Sequence, residues 1–114
     1  MEPIYKSEEV EESHYWNWNG FKIFWSVRGK ENTHPILLLH GFGASSKHWR
    51  KNSYFFAKRG YSVYSIDLIG FGNSAQPGIR EIGKLDNGVW CNQVKDFIQE
   101  VIRPKTKKKV VLIG

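Results

Sequence analysis

Rings and polar side chains alternate in the first part of the chain. The alternation covers residues 14–19, and after Gly20 it continues as Phe21, Ile23, Trp25 and Val27 on one face of a second strand. A period of two is typical of strands with one buried face, and Asn-Gly provides the positive φ angles that a tight turn needs. The pattern therefore predicts a β-hairpin near the beginning of the domain.

Three later stretches have the composition of buried strands: residues 35–40 form an uninterrupted apolar run, residues 61–67 are rich in aromatic and β-branched residues, and residues 109–113 form a third stretch of this type. Uninterrupted apolar runs are typical of strands that are buried on both faces. Each of the first two runs is followed by glycine-rich sequence, which lets the backbone turn sharply. We therefore expect three buried strands whose carboxyl ends carry the turns of interest.

The segments between these strands predict two helices. Ser45 or Ser46 is expected to cap a helix that runs to about Arg59 and is stopped by Gly60. Asp86 or Asn87 is expected to cap the second helix, whose apolar residues recur at helical spacing. Those apolar residues are Trp90, Val94, Phe97 and Val101. Buried strands that alternate with helices form a parallel sheet through right-handed crossovers, so the predicted fold class is α/β.

Length and composition narrow the class of protein. The chain has 114 residues, of which 40% are hydrophobic and 15% aromatic, as expected for one small globular domain. No apolar stretch is long enough to span a bilayer. The acidic N-terminal sequence lacks the apolar core of a signal peptide, and the single cysteine, Cys91, excludes an internal disulfide framework. We therefore expect a cytoplasmic protein.

The net charge of +6 is unevenly distributed along the chain. Residues 1–12 carry a net charge of −4 and are expected to form a disordered lead-in, so the domain is expected to cover residues 13–114. The densest basic run, residues 103–109, is typical either of a patch for nucleic acid or an anionic membrane, or of a solvated connection. Pro104 breaks any helix that would present these charges as a stripe. The connection, with no nucleic-acid partner, is therefore the favoured interpretation.

The first glycine-rich turn allows a nucleotide-binding interpretation. Residues 41–46 approach the dinucleotide fingerprint G-x-G-x-x-G/A, and Asp67 ends the next strand where a ribose-binding acid would lie. Ser46 occupies the position of the third small residue, which must allow close packing of helix on strand. A small dinucleotide-binding module therefore remains the alternative to an enzyme, and a basic non-enzymatic binding domain is a third hypothesis.

The motifs, taken in order and at these separations, resemble the α/β-hydrolase superfamily over about residues 15–114. The stretches that carry the resemblance are Trp16-Asn17-Trp18-Asn19-Gly20, residues 40–45, residues 48–52 and residues 61–74. They look most like the cyanobacterial and plastid hydrolases of the pheophytinase-like branch. Epoxide hydrolases and haloalkane dehalogenases are similar at a greater distance.

The resemblance implies roles for residues of the first turn. The backbone N–H of Phe42 matches the family's first oxyanion-hole donor, and Gly41 and Gly43 give that loop its shape. His40 looks like the histidine that anchors the loop, and it is not the family's catalytic histidine.

The second turn matches a family motif whose role is chiefly structural. The matching residues are Asp67, Gly70, Gly72 and Ser74. Ser74 is therefore not a candidate nucleophile. Cys91 is expected to be a packing residue or a partly exposed thiol, and the four histidines show no metal-ligand spacing.

Gly114 matches the first glycine of the family's G-x-S-x-G nucleophile elbow. The nucleophile, the acid and the catalytic histidine are therefore expected beyond Gly114, and the chain is expected to be a truncated, inactive part of the fold. The resemblance implies a serine-type hydrolase for an apolar, ester-type small molecule, without metal or organic cofactor. An aspartate nucleophile acting on an epoxide or alkyl halide is the alternative within the fold.

The family's strand order places the fifth strand inside the sheet. In this chain residues 110–113 would instead form an exposed apolar edge, and such edges pair with other chains. The isolated chain is therefore expected to be unstable or to self-associate through that edge.

Overall fold

A computed structural model of the chain describes residues 10–40, 49–77 and 86–114. Within these ranges the chain forms five strands and two helices. The strands are β1 (Glu11–Trp18), β2 (Phe21–Arg28), β3 (His34–Leu39), β4 (Tyr61–Ile66) and β5 (Val111–Ile113). The helices are α1 (Arg50–Lys58) and α2 (Asn87–Phe97), and α2 continues into a π-helical segment (Ile98–Ile102).

The predicted hairpin is confirmed. Strands β1 and β2 pair antiparallel along their whole length, with Trp18 opposite Phe21 at the turn. Asn19 and Gly20 have φ angles of 52° and 87°, as the tight turn requires. Asn17 adds to the turn because its side-chain oxygen accepts a hydrogen bond from the Gly20 amide at 2.9 Å.

The sequence predicts a disordered lead-in over residues 1–12. Strand β1 begins at Glu11, so residues 11 and 12 lie in the sheet instead. Glu11 and Glu12 pair with Arg28 and Val27 of β2, and their carboxylates add charge pairs across the hairpin. Arg28 donates a hydrogen bond to the Glu11 carboxylate at 3.2 Å, and Lys30 donates one to Glu12 at 2.7 Å. The Lys30 ammonium also lowers the pKa of the Glu12 carboxyl, which keeps Glu12 ionised.

The five strands form one mixed sheet in the order β1-β2-β4-β3-β5. Strand β3 pairs in parallel with both β4 and β5, whereas β2 pairs antiparallel with β4. The chain from β4 to β5 therefore crosses over β3, and α2 lies in this crossover. The predicted α/β class and the parallel arrangement of the three later strands are confirmed.

Each face of the sheet carries its own hydrophobic core. On one face, α2 and its π-helical continuation place Phe97 and Ile102 against residues such as Leu37 and Tyr64. On the other face, α1 places Ala57 against a smaller cluster, namely Ile36, Leu38 and Val63. Successive side chains of β3 point to opposite faces, which is why its uninterrupted apolar run serves both cores.

Phe97 is at the centre of the larger core. Its ring makes edge-to-face contacts with Trp16, Trp25 and Tyr64, at centroid distances of 5.5, 5.6 and 6.3 Å. These contacts join α2 to β1, β2 and β4 at once. The same burial raises the pKa of the Tyr64 hydroxyl above its ordinary value, so this ring stays neutral in the core.

Local signals at the helix ends agree with the predictions that fall on described residues. Asp86 caps α2, since its carboxylate accepts a hydrogen bond from the Val89 amide at 3.1 Å. Gly60 follows α1 with a φ angle of 94°, as expected after a helix end. The alternative caps of the first helix, Ser45 and Ser46, lie outside the described residues.

The composition of the last apolar run predicts burial on both faces, and this is wrong, whereas the exposed apolar edge expected from the family's strand order is confirmed. Among the described residues, β3 alone pairs with β5, so β5 is an edge strand there, and its Val111 and Leu112 side chains are 50% and 52% exposed. The strand is also shorter than predicted, since it covers only Val111–Ile113. The apolar residues of β5, which are typical of a central strand, therefore lie at the edge of the sheet.

Substitution of two leucines that pair across strands compares the stability contributed by a core position with that contributed by an edge position. Leu37 of β3 is fully buried and lies opposite Leu112 of β5, which is half exposed. We expect Leu37→Ala to lower the free energy of unfolding by about 2–5 kcal/mol, because it leaves a cavity in the core. Leu112→Ala is the matched control and should cost about 1 kcal/mol or less. Urea unfolding followed by tryptophan fluorescence measures the free energy of unfolding of both variants. Equal losses of stability would contradict the placement of Leu37 in the core and Leu112 at the exposed edge.

Candidate functional site

The carboxyl ends of β3 and β4 meet at one edge of the sheet because the strands are parallel neighbours. His40 follows β3 and Asp67 follows β4, and both side chains are buried. Strand β5 ends at the same edge, since Ile113 lies opposite Leu38. The edge therefore brings together His40, Asp67 and Gly114, three of the residues that the sequence identified as site candidates.

His40 links the two strand ends directly. Its Nε2 atom accepts a hydrogen bond from the backbone amide of Leu68 at 2.9 Å. An Nε2 acceptor leaves the ring proton of a neutral imidazole on Nδ1. The ring also contacts Phe71 edge to face, at a centroid distance of 5.3 Å. These contacts are of the kind that an anchoring histidine makes; its effect on the loop beyond it stays a prediction.

Asp67 is covered by the loop that follows it. Its Oδ2 atom accepts a hydrogen bond from the Asn73 amide at 2.9 Å, and the residue is only 1% exposed. Gly72 has a φ angle of 54° and lies so close that a Cβ atom there would overlap the Asp67 carboxylate. The arrangement therefore requires glycine at residue 72, and it directs the carboxylate into the loop.

Ser74 connects the same loop to the hairpin. Its hydroxyl donates a hydrogen bond to the Asp67 carbonyl and accepts one from the Phe24 amide at 2.8 Å. The Ala75 amide donates to the Lys22 carbonyl at 2.8 Å, so the loop extends the pairing of β2. Gly70, with a φ angle of 93°, closes the loop by donating its amide to the Ala75 carbonyl at 2.9 Å. All these bonds support the structural reading of this motif.

Gln93 is a positioning residue that the sequence reasoning missed. It is fully buried, and its side-chain oxygen accepts a hydrogen bond from the Ile69 amide at 3.0 Å. Trp90 assists by donating its indole N–H to the Ile69 carbonyl at 3.1 Å. Gln93 lies three residues after Trp90 and four before Phe97, so it is on the inward stripe of α2. The signal that could have identified Gln93 is the position of a polar residue on the apolar stripe of a helix.

The predicted oxyanion loop is not among the described residues. Gly41, Phe42 and Gly43 lie outside the described ranges, and so does His48. Their predicted roles stay predictions. Gly114 is described and exposed, with open space where a Cβ atom would lie.

An apolar cleft of about 580 Å³ opens beside this edge, between the ends of β3 and β4 and the first turns of α2. Residues that line the apolar cleft include Leu39, Leu68, Phe71, Trp90, Val94 and Leu112. These residues come from four separate segments, so no local pattern in the sequence indicated a cleft. Its lining can accept a hydrocarbon group and offers little to a strongly polar one.

Titratable groups near the edge form no metal centre in the part of the chain that the structure describes, because no three His, Cys, Asp or Glu residues cluster there. Cys91 lines the apolar cleft and is exposed. None of the helices in the described ranges is long and apolar enough to cross a bilayer.

The Ser74 hydroxyl gives a direct test of the loop. We expect Ser74→Ala to lower the free energy of unfolding by about 2–4 kcal/mol, because it removes a bond to the Asp67 carbonyl and leaves the Phe24 amide without that acceptor. Ser13→Ala is the control, since Ser13 is exposed on β1. Urea unfolding compares the two, and a cost as small as that of Ser13→Ala would contradict the structural role.

Comparisons with known proteins agree with this architecture. The family model for the alpha/beta hydrolase fold matches residues 34–114. The 1-acylglycerol-3-phosphate O-acyltransferase ABHD5 of Sus scrofa is 33% identical over 114 residues, which cover 97% of this chain and 30% of that protein. A non-heme chloroperoxidase of Burkholderia pyrrocinia is 36% identical over 55 residues, which cover 48% of this chain and 20% of that protein.

Solved structures share the fold over nearly the whole chain. A thioesterase domain from the curacin biosynthetic pathway has a TM-score of 0.80 at 23% identity, covering 92% of this chain and 35% of that one. The epoxide hydrolase CorEH has a TM-score of 0.77 at 25% identity, covering 92% of this chain and 33% of that one. The chain therefore spans about a third of the length of either structure. It belongs to the α/β-hydrolase fold family.

Proposed function

We propose that the chain is the N-terminal part of a serine-type hydrolase that cleaves an ester or related acyl bond. The observation that carries the proposal is the convergence of His40, the loop after Asp67 and the end of β5 at one sheet edge. Ligands of open α/β sheets bind at the carboxyl ends of the strands. The edge is therefore where a catalytic centre is expected.

In this proposal the first glycine-rich turn supplies part of the oxyanion hole. The Phe42 amide donates a hydrogen bond to the carbonyl oxygen as it becomes an oxyanion, and Gly41 and Gly43 allow the turn. Phe42 is two residues from His40, whose ring is held by the Leu68 amide.

The nucleophile of the proposed reaction belongs to the elbow that begins at Gly114. A serine hydroxyl would attack the acyl carbon, pass its proton to a histidine and expel the alcohol, and water would then hydrolyse the acyl-enzyme. We place the serine, the histidine and its acid partner beyond Gly114. The 114-residue chain is accordingly expected to be inactive alone.

The apolar cleft supports an apolar substrate. Its volume of about 580 Å³ lies within the range of small-molecule sites, and its lining is formed largely by aliphatic and aromatic side chains. A hydrocarbon acyl or alcohol group would be desolvated there without leaving buried polar groups unpaired. The buried carboxylate of Asp67, which the Asn73 amide already binds, favours this reading over a dinucleotide-binding module.

Removal of the backbone N–H at residue 42 tests its proposed role in the oxyanion hole. The protein is produced from a reading frame that continues past Gly114, and hydrolysis of short p-nitrophenyl esters is measured. We expect Phe42→Pro, which removes the amide, to lower kcat by about 10²–10³-fold. Phe42→Ala keeps the amide and is the matched control.

Unchanged kcat in Phe42→Pro, with labelling by a fluorophosphonate retained, would contradict the oxyanion role. The 114-residue chain should show neither hydrolysis nor labelling. Titration of that chain with NAD, NADP or FAD should leave its tryptophan fluorescence unchanged. Saturable quenching would favour the dinucleotide-binding alternative instead.

We further propose that the isolated chain self-associates through β5, whose side chains at Val111 and Leu112 are half exposed at the sheet edge. Lysine at an edge strand opposes pairing with another chain. Leu112→Lys should therefore shift sedimentation velocity profiles towards the monomer. Tyr15→Lys, on the opposite edge strand β1, adds the same charge and should not. Equal effects of the two variants, or a wild-type monomer, would contradict the proposal.

A further inference from the structure

Helix α1 presents an unusual outward face. Lys51, Tyr54, Phe55 and Lys58 follow the spacing i, i+3, i+4, i+7, so they form one stripe along the helix. All four are exposed, and the inward residues Ser53 and Ala57 are buried against the sheet. We call these four residues, together with the exposed Arg59 at the helix end, the α1 stripe.

The stripe lies in a part of the chain without negative charge. No Asp or Glu occurs between Glu31 and Asp67. Five basic residues occur in the same interval, namely Lys47, Arg50, Lys51, Lys58 and Arg59. Most solvated helix faces carry charges of both signs, whereas this one is purely cationic. The Glu11 carboxylate binds Arg28, whose guanidinium lies 5.7 Å from the Tyr54 ring centroid, but the charged side chains of the α1 stripe itself are all positive, which suits a negatively charged partner.

Two rings are exposed among these cations. Tyr54 is 43% and Phe55 50% exposed. The Arg59 guanidinium lies 3.5 Å from the centroid of the Phe55 ring, and the Lys58 ammonium lies 5.6 Å from that of Tyr54. Each ring thus has a cation over it, while much of its surface remains in water.

We propose that the α1 stripe docks on an anionic lipid surface. Tyr54 and Phe55 would enter the headgroup region, and Lys51, Lys58 and Arg59 would bind lipid phosphate and carboxylate groups. Basic side chains are attracted to anionic headgroups, and aromatic side chains beside them can bury apolar surface at the boundary between headgroups and acyl chains. The shared chemistry of the surface is a negatively charged headgroup above a hydrocarbon layer.

The geometry favours a lipid surface over single-stranded nucleic acid, the other polyanion that aromatic rings and cations recognise. Bases bind by stacking on free ring faces. Arg59 covers a face of Phe55, and Tyr54 has both Arg28 and Lys58 near its ring, with Arg28 at 5.7 Å. These cations leave less ring surface on which a base could stack, and the same cations can bind charged headgroups.

The basic run at residues 103–109 lacks these features. It contains no aromatic residue. The Arg103 guanidinium donates hydrogen bonds to the Thr106 and Lys108 carbonyls, at 3.1 and 2.6 Å, just as the Arg59 guanidinium donates one to the Phe55 carbonyl at 3.1 Å, so the two surfaces differ in their rings rather than in such bonds. This run has more charge than the stripe but no ring to insert, which makes it the natural control surface.

The stripe and the apolar cleft lie on opposite sides of the sheet. Helix α1 packs on the cluster formed by Ile36, Leu38 and Val63, while α2, which lines the cleft, packs on the larger core. Docking through α1 therefore leaves the cleft accessible. The inference does not depend on hydrolase activity, because it concerns a different surface.

Vesicle flotation tests the docking, since aggregated protein sediments while vesicle-bound protein rises. The full chain is mixed with vesicles of phosphatidylcholine alone or with about one third phosphatidylserine, at about 0.1 M salt. We expect binding only to the anionic vesicles and weakening in about 1 M salt, where charges are screened within about 3 Å.

Charge and ring variants then locate the contact. Each basic residue near an anionic leaflet strengthens binding about fivefold, so Lys51→Glu/Lys58→Glu should weaken it by at least about 30-fold. Lys107→Glu/Lys109→Glu makes the same change in net charge on the control surface and should weaken it only a few-fold. Tyr54→Ser/Phe55→Ser should weaken binding about tenfold, whereas Tyr15→Ser, an exposed ring on β1, should not.

Three results would overturn the proposal. They are failure of the wild-type chain to float with anionic vesicles, equal losses in the two charge variants, and unchanged binding in Tyr54→Ser/Phe55→Ser. Tighter binding to a single-stranded oligonucleotide than to the vesicles would favour nucleic acid as the partner instead. Circular dichroism checks that the variants are folded; if the double ring variant is not, Phe55→Ser alone replaces it.

Discussion

The backbone that leaves β4 depends on buried hydrogen bonds to side chains. From Asp67 to Ala75 the chain no longer has a neighbouring strand on each side, yet much of it lies under α2 and beside the hairpin. His40, Gln93, Asp67 and Ser74 each bind an amide or carbonyl of this loop or of β2. A buried amide without a partner costs about as much as a whole hydrogen bond contributes, so these polar side chains determine where the loop can lie.

This network joins parts of the chain that are distant in sequence. His40 comes from the end of β3, Gln93 from α2, and the Ser74 hydroxyl reaches Phe24 in β2. The hairpin thus covers one side of the core and also binds the end of the loop, through the hydrogen bond between Phe24 and Ser74. Phe97 plays the matching role among apolar residues, since its ring contacts three strands. The hydrogen bonds of the loop and the ring contacts of Phe97 together hold the elements that meet at the sheet edge.

Much of the fold was predictable from local pattern. Asn19-Gly20, Asp86 and Gly60 act within a few residues of themselves, so each predicted its turn, cap or helix end. The uninterrupted run of β3 correctly indicated a strand that serves two cores. The same reasoning failed at β5, because an apolar run reports what the strand is suited to and not which neighbours it has. The early beginning of β1 was also unpredictable, since Glu11 and Glu12 join the strand by pairing with residues of β2 across the hairpin.

The sequence by itself determined the order and type of the elements, the glycine positions at the strand ends and the resemblance to a fold family. These properties depend on contacts within a few residues or on motifs read in order. Only the tertiary structure decided that Asp67 is buried beneath its own loop, that Gln93 binds that loop, and that an apolar cleft opens beside α2. Each of these depends on distances between segments far apart in the chain, which packing and hydrogen bonding set together.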